Sequence, residues 1–172
     1  MSSAPAAAGK NTKSAVFRNS PMYWKLKKDI WWGDRHSVAE LKDQVGSVIN
    51  LCHNPELTPG NTRYDSLILP GTTPYFRFGR HDNHFLTIPE LRTLTTIIEL
   101  ALNYKPVLIH CYLGQHRSVN VAIAAALIDE GACTAANLDI YTTVAKQLRK
   151  DIVTELQYSI SLRRWIASGA GN

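Results

Sequence analysis

The run from Val107 to Ile128 constrains this chain's fold more than any other segment. Val107-Leu108-Ile109 leads into the polar turn His110-Cys111-Tyr112-Leu113-Gly114-Gln115-His116-Arg117-Ser118, and a mostly apolar stretch from Val119 to Ile128 leaves it. The first run is short and β-branched, which marks a buried strand, and the second is long enough for a buried helix. A chain organised around such a strand–loop–helix unit folds as an α/β domain.

The rest of the sequence alternates in the same way, with no linker and no internal repeat. Further strand-like segments lie at 30–32, 47–51, 66–69 and 75–78, beside 107–110. Helix-like segments lie at 38–44, 135–148 and 154–166. Thr87-Ile88-Pro89-Glu90 opens another helix with a capping-box pattern and an early proline. Leu91, Leu94, Ile98, Ala101 and Leu102 then give it one apolar face. The expectation is one domain over residues 21–167, a central mixed sheet of about five strands flanked by helices. Trp165 is assigned to core packing. Residues 1–20 have no acidic group and a single arginine, which predicts a flexible tail rather than a transit peptide. Residues 168–172 read as a short Gly/Ala/Ser tail with no prenylation box.

The loop itself brings particular chemistry. A free thiol titrates near 8.5, so a nucleophilic cysteine needs neighbours that favour its anion. The backbone N–H groups from Tyr112 to Arg117, the positive end of the following helix and the Arg117 guanidinium all do so. The same donors suit a phosphoryl group, and Arg117 offers a planar fork that lysine cannot reproduce. Gly114 can take positive φ and turn amides inward. Ser118 either donates to the sulfur, stabilising it as a leaving group, or serves as a helix N-cap.

His110-Cys111, Gly114 and Arg117-Ser118 resemble the H-C-x-x-G-x-x-R-S/T loop of the cysteine-dependent protein tyrosine phosphatases, most closely the dual-specificity branch. The resemblance spans roughly 29–166. It implies a phosphatase in which Cys111 is the nucleophile, Arg117 and the loop residues Tyr112, Leu113, Gly114, Gln115 and His116 bind the substrate phosphate, and His110 supports the loop. It also implies an aspartate acid about thirty residues upstream. Asp82, in Gly79-Arg80-His81-Asp82-Asn83-His84-Phe85, is the only carboxylate between Asp65 and Glu90, with His81 and His84 as runners-up. His116 stands where dual-specificity enzymes often carry serine. Cys52, after Val48-Ile49-Asn50-Leu51, resembles the second cysteine of the phosphatase-and-tensin lipid phosphatase and its relatives. It is either a redox partner of Cys111 or a small buried hydrophobe.

Composition bounds the partners more loosely. Three cysteines, with no metal-like spacing and one necessarily left over, predict no structural disulfide, no metal site and a reducing compartment. The expected protein needs no cofactor, is a cytoplasmic monomer, with the nucleus or mitochondrion as alternatives, and has no membrane anchor, its apolar runs being too short to span a bilayer. A net charge of +5 favours anionic partners. The loop lacks the lysines with which lipid phosphatases of this superfamily meet inositol phosphates, and the chain is too compact for the recognition segments of larger tyrosine-specific enzymes. Phosphotyrosine and phosphoserine/threonine in proteins are therefore the expected substrates. Phosphoinositides, RNA 5′ ends, or a phosphopeptide-binding module with little turnover are the alternatives. Arg77, Arg80, His81 and His84 would form a basic rim or a solvated charged loop.

Overall fold

Val107–His110 is the middle strand of a five-stranded sheet and is buried at every residue. The computed structural model describes residues 22–53 and 68–172. In chain order its elements are β1 (Tyr23–Lys27), β2 (Ile30–Gly33), α1 (Ser37–Leu41), β3 (Ser47–Asn50), β4 (Tyr75–Arg77), α2 (Ile88–Leu102), β5 (Val107–His110), α3 (Arg117–Glu130), α4 (Ala135–Leu148) and α5 (Gln157–Ala167). The strand order is β1-β2-β5-β3-β4, antiparallel at β1 and parallel elsewhere.

Side-chain alternation along the strands builds two cores. Leu108 pairs in register with Trp31 and Val48, and these three pack with Val38 and Leu41 of α1. Val107 and Ile109 point the other way and join Ile30, Trp32, Ile49 and the apolar faces of the remaining helices. At about 1.5–3 kcal/mol for each large aliphatic side chain fully buried, this larger layer dominates the favourable side of folding. Helix α3 lies within it, buried without interruption from Arg117 to Leu127, as expected of a helix apolar on every side. Gly131, at φ 59°, ends it with Ala132 N–H on Leu127 O and Gly131 N–H on Ile128 O.

The mixed sheet flanked by helices is as expected, but one strand differs. The segment expected at 66–69 falls partly outside the described residues; of its described part, Ile68 is helical and Leu69 lies in a bend. The fifth strand is instead β1, whose lysines point away from the core and disguise an edge strand as part of a basic terminus. Residues 1–20 lie outside the described residues. At the other end, Asn172 Oδ1 accepts the Cys133 N–H at 2.9 Å. Among the described residues, no helix is long and apolar enough to cross a membrane.

Candidate active site

Parallel strands leave their carboxyl ends on one edge of the sheet, where open α/β folds place their ligand sites. From β5 the chain passes directly into Cys111, from β2 into Asp34, from β3 into Leu51 and Cys52, and from β4 toward Asp82. Cys111 is 2 % exposed. Its Sγ accepts the Gly114 N–H at 3.3 Å and lies 3.2 Å from Ser118 Oγ. Ser118 Oγ also lies 3.3 Å from Gly33 O, so its proton can turn to the sulfur when that is anionic. Ser118 does not cap the helix: α3 begins at Arg117, with His116 at the cap position.

The loop's curvature is imposed from outside. Tyr112 O accepts from Arg35 Nη1 at 3.3 Å, Leu113 O from Arg149 Nη1 at 3.0 Å, and Gly114 O from the buried Trp32 Nε1 at 3.2 Å. Gln115 O accepts the Val153 N–H at 2.8 Å, and His116 O accepts from Asn120 Nδ2 at 2.7 Å. A planar trans peptide points each following N–H the opposite way. Five successive amides, Leu113 to Arg117, are thereby turned from these outer donors, and the Gly114 amide lands on the sulfur. Sequence reading missed Trp32, Arg35, Asn120, Arg149 and Val153, since each is remote from the loop or unremarkable in type.

A cavity of about 190 Å³ opens over Cys111, lined also by Asp82, Tyr112, Leu113, Gln115, His116, Arg117, Val153 and Leu156. Leu113 is exposed at the mouth, and Gln115 Nε2 is held by Asp151 at 2.5 Å. His110 is fully buried beneath the loop, and its carbonyl accepts the Leu51 N–H at 2.9 Å. Arg117, 3 % exposed, sends Nη1 to Leu51 O at 3.1 Å and Arg80 O at 3.2 Å, which leaves Nε against Asp82 Oδ1 at 2.5 Å. Asp82 Oδ1 also lies 3.1 Å from His116 Nδ1. Both are close contacts, the first between opposite charges, although their N–H groups are not aligned as hydrogen bonds in the strict angular sense. Burial raises the Asp82 pKa, but His116, Arg117 and His81 outweigh it and hold the carboxyl below its usual range. The Tyr158 N–H on Asp82 O, at 3.1 Å, fastens the acid's loop to the first turn of α5.

The expected basic rim is largely neutralised. Arg80 Nε and His84 Nε2 both contact Glu90, at 2.6 and 2.9 Å, while His81 turns edge-on to His53 and accepts the Asn83 N–H. Of the runner-up acids, neither histidine lines the cavity. Cys52 is buried and unbridged, as are Cys111 and Cys133. Among the described residues, no group of three or more His, Cys, Asp or Glu is arranged to hold a metal ion.

The five-stranded mixed sheet with flanking helices is the fold of solved dual-specificity and protein tyrosine phosphatase structures. Solved structures give the particular likenesses. Tk-PTP in its active form superposes with a TM-score of 0.67 at 18 % identity, covering 86 % of this chain and 97 % of that one. Human DUSP28 gives 0.65 at 15 % identity, covering 87 % and 95 %. PTPMT1 in complex with PI(5)P gives 0.61 at 13 %, covering 87 % and 97 %. At these identities the likeness is one of fold. No family model and no curated protein matches the sequence.

Proposed function

We propose that the chain is a cysteine-dependent phosphatase that hydrolyses phosphomonoesters through a phosphocysteine on Cys111, with phosphotyrosine and phosphoserine/threonine in proteins as its substrates. The observation that carries this is one sulfur, with the Gly114 N–H and the Ser118 hydroxyl beside it, opening on the same cavity as the Arg117–Asp82 pair.

The steps follow from those contacts. A phosphoryl group over Cys111 takes the Arg117 fork and the inward amides, which bind its oxygens most strongly as charge builds in the transition state. Arg117 then leaves Asp82, and the arriving anion raises that carboxyl's pKa, so the acid holds a proton when it is needed. Sγ attacks phosphorus, the P–O ester bond breaks, and Asp82 protonates the leaving oxygen. Water next attacks the phosphocysteine, Asp82 takes its proton, and the S–P bond breaks with Ser118 donating to the departing sulfur. A loop without lysine, and Arg80 and His84 committed to Glu90, weigh against polyanionic substrates such as phosphoinositides or RNA 5′ ends.

Hydrolysis of a small aryl phosphate separates the roles. Cys111→Ser should be inactive, and Asp82→Asn should lose about 10²–10⁴ in kcat on a poor leaving group. Activity surviving Cys111→Ser would refute the mechanism. A phosphopeptide panel then ranks protein substrates against phosphoinositides and triphosphate-ended RNA.

A further inference from the structure

We propose that His116 is a positioning residue for Asp82, oriented from behind by Ser159; this deepens the phosphatase reading and rests on it. The His116 side chain is only 7 % exposed. One ring nitrogen, Nε2, lies 2.5 Å from the fully buried Ser159 Oγ on α5, and the other, Nδ1, lies 3.1 Å from Asp82 Oδ1. Tyr158 meets the ring edge-on at 6.2 Å between centroids. Serine, histidine and aspartate thus form a line that ends on the acid, with the hydroxyl at its buried end, out of reach of any substrate.

The order of contacts gives that line its use. An ionised Asp82 can only accept, so the ring's Nδ1 carries the proton that faces it and Nε2 accepts from Ser159 Oγ, because the tautomer follows the hydrogen bond made by the opposite nitrogen. Asp82 Oδ1 is completely buried, while the side chain as a whole stays 34 % exposed and lines the cavity. The oxygen open to the cavity is therefore Oδ2. Both Arg117 and His116 grip Oδ1, but a phosphoryl group claims Arg117. His116 then remains to hold the carboxylate with Oδ2 toward the leaving group. Arg117 at the start of α3, Asp82 on its loop, Tyr158 and Ser159 on α5, and Arg80 and His81 flanking Asp82 are the polar and charged groups around this line.

The test compares two aryl phosphates, one with a strongly acidic leaving phenol that departs without protonation and one with a poor leaving group that needs the acid. His116→Ala should lose roughly 10-fold or more in kcat on the poor leaving group, part of the ~10²–10⁴ that general acid catalysis supplies, and far less on the activated one. His116→Asn, whose Nδ2–H reaches where Nδ1–H stood, should recover most of the loss. Ser159→Ala should show the same leaving-group dependence, more weakly, and carries the test together with Asn should His116→Ala fail to fold. An equal fall on both substrates, with no recovery in Asn, would make His116 a packing residue and overturn the proposal alone. A wild-type protein silent on both substrates would instead overturn the phosphatase reading.

Discussion

Gly114 and Tyr158 are the two residues whose local physics most affects the site. Gly114 holds φ 71°, and a Cβ there would sit 2.9 Å from the Gly33 carbonyl carbon and 3.0 Å from Asp34 N, so the loop's closest approach to β2 depends on its having no side chain. Tyr158 presents the opposite case. It is fully buried among the site's charged groups, and among the described residues its hydroxyl has no hydrogen-bond partner. Burial pushes its pKa well up, so the group stays a neutral phenol. An unsatisfied buried hydroxyl is a standing cost, and its removal leaves no partner stranded. Tyr158→Phe should therefore be neutral or stabilising by about 1 kcal/mol, a rise of up to ~2–4 °C in Tm for a chain of this size. Thermal unfolding measures it, and a lowered Tm would reveal a partner for the hydroxyl.

Among the elements, the start of α2 joins fold to site. Thr87 caps the helix and Glu90 returns the bond, as the sequence pattern predicts. Glu90 further gathers Arg80 and His84, the residues on either side of Asp82's turn, and so anchors the acid's loop to a helix end. That second duty was not legible, because Arg80 and His84 look like free surface charges until the turn folds them over the helix. Helix α2 was readable from its stripe of leucines and isoleucines, whereas β1 was hidden by alternating lysines, and Ser66-Leu67-Ile68-Leu69 suggested a strand where Ile68 is helical. Burial raises the Glu90 pKa, but hydrogen bonds from Arg80, the Thr87 N–H and His84 outweigh it and bring the carboxyl from 4.5 to about 2. Since the folded value is the lower one, the stabilisation is full above about pH 4.5 and is lost as the pH falls toward 2. Glu90→Gln should melt below wild type at neutral pH, with the gap closing over that acid range. Tm measured against pH decides it, and a constant gap would mean that charge is not the source.

At the scale of the whole molecule, the sheet gathers at one edge what the sequence scatters. The nine-residue loop was legible because Cys111, Gly114, Arg117 and Ser118 fall at close, fixed spacing within one continuous stretch, and Asp82 could be found only through a family pattern. Ser159 carried no signal, since 43 residues separate it from His116 and a serine inside a helix has no distinguishing neighbourhood. Cys52 is the remaining case. Asn50 and His110 are register partners, and the Leu51 N–H bonds to His110 O at 2.9 Å, so β3 and β5 release Cys52 and Cys111 from adjacent strand ends. We propose that peroxide oxidises the Cys111 thiolate to a sulfenic acid with release of water, and that the Cys52 thiol then displaces a second water to form a disulfide. Catalysis stops while the nucleophile is bridged, and a thiol reductant restores it. Non-reducing peptide mapping after peroxide treatment should yield a Cys52–Cys111 linked peptide, and Cys52→Ser should leave activity that no longer recovers fully with reductant, because Cys111 proceeds to the sulfinic state. Full recovery in Cys52→Ser, or a map without the linked peptide, would reduce Cys52 to one more small buried side chain at the end of β3.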